Sequence, residues 1–331
     1  MARIDRRAVL LGLGAVAAGG TSLAGTGTAP SYDDPDSLYA ALRSQPGQDL
    51  KIGGGTITIV FADGAPGLAR GPVLSWIRTA AMALTAYFGR FPVRDYGLLI
   101  IAEPGDRVGH ATTYGYAGSA TRIHVGRDAG RAAFDRDWVL VHELVHSALP
   151  DLPRRALWLQ EGNATYVEPI ARAQIGQLSP QTLWKEAVAG MAQGNPQPGD
   201  AGMDGTQAWR RLYWGGALFW LLAEIGIYRA TNGTRSLRDA LRRINSVSGG
   251  NTASWSPEHL MMVGDAAIGA TTLIDLYTRF ATTAVSTNLV DLFQELGVAP
   301  GADGEPVFDN RAPLAKLRER ITARDGDQSA A

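Results

Sequence analysis

The chain contains no cysteine. That excludes disulfides and any metal site built on thiolates, so metal ligands must be His, Asp or Glu. Histidine is itself scarce, with five in 331 residues. Neither sign of charge dominates: the formal net is −1, which excludes the basic surface that nucleic-acid binding requires. Two apolar stretches, Ala8 to Ala18 and Leu212 to Ile227, are too short to span a bilayer, and Gly215-Gly216 interrupts the second. Gly53-Gly54-Gly55 is followed by no Lys-Ser/Thr pair, so it is a turn and not a phosphate loop. No internal repeat is present. What the chain does have is bulk: 45% apolar residues, enough core for one large domain or two lobes.

The first residues read as an address rather than as fold. Arg3, Arg6 and Arg7 precede the apolar run, and small and polar residues follow to Ala29-Pro30. This is the layout of an export signal over residues 1–29. Arg6-Arg7-Ala-Val-Leu-Leu resembles a twin-arginine signal, with Asp5 where Ser or Thr is usual. Cleavage after Ala24 or Ala29 would leave no stable membrane span and a periplasmic or extracellular protein. An uncleaved anchor is the alternative.

From residue 30 the pattern predicts an α+β fold. A helical pattern around Leu38–Arg43, a β-branched strand at Thr56–Phe61, a helix from Pro72 to Gly89 and a central strand at Tyr96–Ala102 make a small sheet lobe, about 50–130. Thr112–Val125 predicts two short strands or one bulged edge strand, and an edge strand can pair with an extended peptide. His110 and His124 fall here and read as ordinary loop or sheet residues. A mostly helical lobe, 173–300, follows two helices in 135–172. Gly190–Gly205 and Ser246–Ser256 read as loops, and 321–331 as a disordered tail.

The chemistry lies in the first of those two helices: Asp137-Trp-Val-Leu-Val-His142-Glu143-Leu-Val-His146. His142 and His146 are one helical turn apart on one face and can grip a single Zn²⁺. Glu143 flanks that face, within reach of a water but not of the metal, as a general base must be. Asp135 or Asp137 can cap the helix, and Pro150 stops it. The apolar stripe of Trp138, Val141, Val145 and Ala148 predicts burial. Two imidazoles and a carboxylate on a buried helix each need a partner, and one metal ion serves all three.

The second helix begins near Pro153 and carries Trp158-Leu-Gln-Glu161-Gly162. An antiparallel return would bring Glu161 back beside the imidazoles as third ligand, with Gly162 permitting close approach of the backbones. Two His and one Glu leave a fourth position for water, the catalytic arrangement. Glu168 is either an acceptor that orients an imidazole N–H or a surface carboxylate. Pro169 is expected to kink or end the helix.

These residues are similar to the gluzincin metallopeptidases. His142-Glu143-x-x-His146 with Trp158-Leu-x-Glu161-Gly162 resembles both the aminopeptidase N and the glycyl aminopeptidase families. Leu212-Tyr213-Trp-Gly215-Gly-Ala217-Leu218, Thr231-Asn232-Gly233-x-x-Ser236-Leu237 and Asp291-Leu-Phe-Gln-Glu-Leu-Gly297 look more like the latter. The resemblance implies a thermolysin-like catalytic domain with one zinc ion per chain between its two lobes. It implies His142, His146 and Glu161 as ligands, Glu143 as base and proton shuttle, and a peptide or protein substrate. It implies Tyr213 as the oxyanion donor; read on its own, Tyr213 is a packed core aromatic. No Gly-x-Met-Glu-Asn exopeptidase element is recognisable. Thr113–Gly118 stands in its place, with Glu103 the nearest upstream acid. The leading expectation is a zinc metallopeptidase, possible aminopeptidase specificity included. An exported non-catalytic binding protein on the same scaffold, or a zinc hydrolase of another substrate, is the alternative.

Overall fold

The computed structural model describes residues 32–302 and 304–324. The expected signal, 1–29, and the last residues of the expected tail, 325–331, lie outside them. The Asp34 carboxylate accepts from Ser37 N at 2.9 Å and caps α1, Pro35–Ser44, with proline at its start. A hairpin follows, β1 (Gly47–Ile52) and β2 (Gly55–Phe61), turning on Gly53-Gly54. β1 has no apolar alternation and buries only Leu50, which is why the sequence reads there as polar. Then come α2 (Arg70–Phe88), β3 (Asp95–Glu103), β4 (Val108–Tyr114) and β5 (Ala120–Gly126).

The five strands form one mixed sheet in the order β1-β2-β3-β5-β4. β2, β3 and β5 run parallel, and the outer strands pair antiparallel. β3 is central, and β4 is an edge strand with a register shift between Val108 and Ala111. Both faces of the inner strands are covered, as a parallel sheet requires. Leu38 and Tyr39 of α1 pack on Val60 and Leu99. Trp76, Ile77 and Leu84 of α2 pack on the other face, with Ile57, Ile59, Leu98, Ile100 and Ile123.

That second face also receives α4 (Val139–His146), which follows the short α3 (Arg131–Arg136). The buried Asp137 carboxylate accepts from Val139 N and Leu140 N, both at 3.1 Å, and from Trp76 Nε1 at 3.0 Å. One side chain thus caps the helix and fixes it to α2. A link through Asp151 leads to α5 (Leu157–Gln174), which lies along α4. Pro169 does not end α5. Ile170 and Ala171 are buried beyond it, and their packing outweighs the one backbone hydrogen bond that proline forfeits.

The rest is mainly helical: α6 (Pro180–Met191), α7 (Gly216–Ala230), α8 (Leu237–Ser248), α9 (Pro257–Ile268), α10 (Thr272–Thr282) and α11 (Leu289–Glu295). A two-stranded ribbon, β6 (Val298–Pro300) and β7 (Pro306–Phe308), and α12 (Ala315–Thr322) close the described chain. α12 crosses into the segment expected as a disordered tail, because Leu317 and Ile321 are buried in the core. α7 is mostly apolar and buried, Glu224 included, and packs against α5. The contact is backbone on backbone. A Cβ at Gly162 would stand 2.3 Å from Gly216 Cα, and one at Gly216 would stand 2.2 Å from the Trp158 carbonyl oxygen. Glycine at both positions is what lets α7 seat there. Among the described residues no helix is long and apolar enough to cross a membrane.

Candidate metal centre

α4 and α5 converge on three ligand-type side chains. His142 Nε2 lies 3.3 Å and His146 Nε2 3.7 Å from Glu161 Oε2. Tetrahedral zinc, with bonds of ~2.0–2.1 Å, sets its ligand atoms about 3.3–3.4 Å apart. The donor set therefore fits one zinc ion with small side-chain adjustments. All three side chains are largely buried. Burial lowers the pKa of His146, which favours the neutral imidazole that a metal needs. Burial alone would raise the Glu161 carboxyl. The imidazoles of His146 and His142 more than offset this and hold it at about 2, so it is an anion.

Glu143 sits beside this triad on α4, its pKa raised by burial. Its Oε2 accepts from Thr113 Oγ1 of β4 at 2.7 Å. Thr113 in turn meets Thr121 Oγ1 on β5 at 2.5 Å, and Thr121 bonds the buried Tyr96 hydroxyl on β3. A row of three hydroxyls runs across the sheet and ends on the carboxylate. Sequence reading named the Thr113 segment but had no signal for this bond, which joins residues 30 apart.

Tyr213 also reaches the site. It lies not in a regular α-helix but in a π-helical turn, Arg211–Gly215, that leads into α7. The extra residue of such a turn swings the side chain off the helical register. Its ring stacks on His142 at 5.8 Å and 10°, and its hydroxyl is close enough to Glu161 to feel its charge. Burial and the Glu161 charge push its pKa well up, so it keeps its proton and stays a donor.

Glu168 does not join the site. Its carboxylate accepts from Arg172 at 2.8 Å, an i,i+4 pair inside α5, so it orients no imidazole. Glu103 accepts from His124 Nδ1 at 3.0 Å and is not in the cleft wall. The cleft over the triad encloses about 440 Å³. Its walls include His110, Thr113, Trp138, Trp209, Tyr213 and Asn251. Asn251 comes from the loop after α8, where Asp151 N donates to Ala253 O at 2.7 Å and Trp255 N to Asp151 O at 3.0 Å. Its amide donates to Tyr114 O at 3.2 Å, tying the loop to the end of β4.

No protein-family model and no curated protein matches the sequence. Among solved structures, an aminopeptidase N family protein from Idiomarina loihiensis aligns at TM-score 0.53 and 14% identity, covering 81% of this chain and 53% of its own. An M1 zinc metallopeptidase from Deinococcus radiodurans gives 0.47 at 19% identity, over 74% of this chain and 53% of its own. Native yeast LTA4 hydrolase gives 0.46 at 15%, over 76% and 42%. The first of these shows the fold: a mixed α/β arrangement shared with an aminopeptidase N family protein. The chain spans about half the length of the structures it resembles.

Proposed function

We propose that this chain is a zinc-dependent hydrolase, and specifically a metallopeptidase. One observation carries the reading: two imidazoles and a carboxylate, from consecutive helices, converge at spacings suited to tetrahedral zinc beside a carboxylate that is not part of the set. His142, His146 and Glu161 would hold the ion. When bound, zinc polarises a carbonyl and makes water acidic enough to ionise near neutrality.

The other parts belong to the chain itself. Glu143 takes the proton of the attacking water and returns it to the leaving amine, which the burial-raised pKa suits. Thr113 holds that carboxylate in place from the sheet side. Tyr213, a protonated donor within reach of Glu161, supplies a hydrogen bond to the oxyanion. β4 offers an unpaired strand edge along the cleft, to which an extended peptide can add. Glu103 faces away, so recognition of a substrate's free amine falls to another group. Asp151 is the carboxylate in the wall besides Glu143 and Glu161. The narrower likeness to glycyl aminopeptidases rests on the Tyr213–Leu218 and Thr231–Leu237 motifs, and export rests on the N-terminal segment.

The test is metal analysis together with digestion of a mixed-peptide pool read by mass spectrometry. Cleaved peptides that disappear on chelation support the reading, and the positions of the cuts separate endo- from exopeptidase. Stoichiometric zinc with no cleavage would favour the binding-protein alternative.

A further inference from the structure

The sheet carries a second cluster on the face away from α4. His124 of β5 and His110 of β4 stack with ring centroids 3.9 Å apart. Asp33, just ahead of α1, completes the group: one ligand atom from each of Asp33, His110 and His124 lies within 4.8 Å of the others. The histidine on β5 is already oriented. Glu103 Oε2 accepts from its Nδ1 at 3.0 Å, which fixes the tautomer and leaves the lone pair on Nε2. That Nε2 is buried and has no hydrogen-bond partner. A carboxylate behind one ring nitrogen, with the other unpartnered, is the support that metal-ligating histidines commonly have.

We propose that Asp33, His110 and His124 form a second binding site for a divalent transition-metal ion of the zinc class. The atoms must close from within 4.8 Å to about 3.3–3.4 Å for tetrahedral zinc. Asp33, with a side chain 66% exposed, can move in, and the imidazoles, stacked 3.9 Å apart at 25°, must turn so that both in-plane lone pairs meet the ion. Arg122 donates to Asp33 Oδ1 at 3.0 Å. Ligating carboxylates are commonly hydrogen-bonded in this way. The bound ion would join β4, β5 and the segment before α1. β4 is the edge strand along the cleft, His110 itself being among the cleft-lining residues, so the clamp would stiffen that wall.

The test counts zinc on the full chain after dialysis against Zn²⁺. Wild type is expected to hold two equivalents. His142→Ala/His146→Ala should keep one, and adding His110→Ala or His124→Ala should remove it. Asp33→Asn, at an exposed side chain, gives the same readout if a histidine variant misfolds. Should the double variant misfold, the fall from two to one in His110→Ala alone decides. Zinc should also raise the melting temperature of the double variant and not of the triple. A double variant that binds no zinc, or a second equivalent indifferent to His110, His124 and Asp33, overturns the proposal. A single equivalent that survives in the double variant and vanishes with His110 would keep this site and sink the metallopeptidase reading, so the two fail separately.

Discussion

Thr113 Oγ1 on the edge strand lies 2.7 Å from Glu143 Oε2 on the histidine-bearing helix. This bond joins the sheet to the proposed base and fixes where its carboxylate points. Replacing the hydroxyl by a methyl should free the carboxylate without touching the metal. Thr113→Val is expected to lower kcat roughly tenfold or more while zinc content and KM hold, since ~1.4 kcal/mol of lost positioning is tenfold in rate. Thr113→Ser should restore most of it. A serine variant as slow as the valine one would make Thr113 a packing residue.

Glu143→Gln keeps the shape of the side chain and removes its basicity. Zinc content should be unchanged and turnover should fall by about 10²–10⁴-fold, the usual worth of a general base. Steady-state kinetics beside metal analysis on one preparation decide the matter. Full activity would take Glu143 out of the mechanism.

Tyr213→Phe removes one hydroxyl in a half-buried position. If that hydroxyl stabilises developing charge, kcat falls roughly 10²-fold with zinc retained. An unchanged kcat would leave Tyr213 as the aromatic plate stacked on His142.

Gly162→Ala tests the helix contact that brings Glu161 to the imidazoles. Its Cβ would meet Gly216 backbone at 2.3 Å, and backbone cannot rotate away. Overpacking of this kind costs about 3 kcal/mol or more. Urea denaturation should show that loss, and zinc affinity should fall with it. A variant of normal stability would mean that α5 and α7 separate easily.

Glu224, buried in α7, accepts from Leu237 N at 3.2 Å, and burial raises its pKa to about 7 from 4.5. The folded state therefore holds this proton more tightly than the unfolded chain does. Stability from this group is present below pH about 4.5, is lost as pH rises towards about 7, and levels off above. Glu224→Gln keeps an acceptor for Leu237 and should flatten that decline. Melting temperatures near pH 5 and near pH 7.5 measure it. Parallel declines in the two proteins would assign the pH dependence elsewhere.

What could be read from the sequence was what local spacing encodes. His142, Glu143 and His146 follow from one helical turn. Glu161 and Gly162 follow from the next helix and the need of a buried carboxylate for company. β2 read as a β-branched strand and β3 as a short apolar one. What escaped depends on partners distant in sequence. Glu168 found Arg172 on its own helix instead of an imidazole. Pro169 was overruled by the packing of Ile170 and Ala171. Strand β1 is held by pairing with β2 rather than by its own residues. The π-turn at Tyr213 leads directly into Gly216, which packs on Gly162 of another helix. Thr113 and Asn251 come to the cleft by strand register and loop closure, for which composition carries no sign.

The most direct measurement pairs wild type with Glu161→Gln in a mixed-peptide digest, each assayed for bound zinc. The account predicts cleaved peptides from wild type alone, and one zinc equivalent fewer in the variant. Cleavage by a Glu161→Gln protein that has lost that equivalent, or a fully zinc-loaded wild type that cuts no peptide, would contradict it.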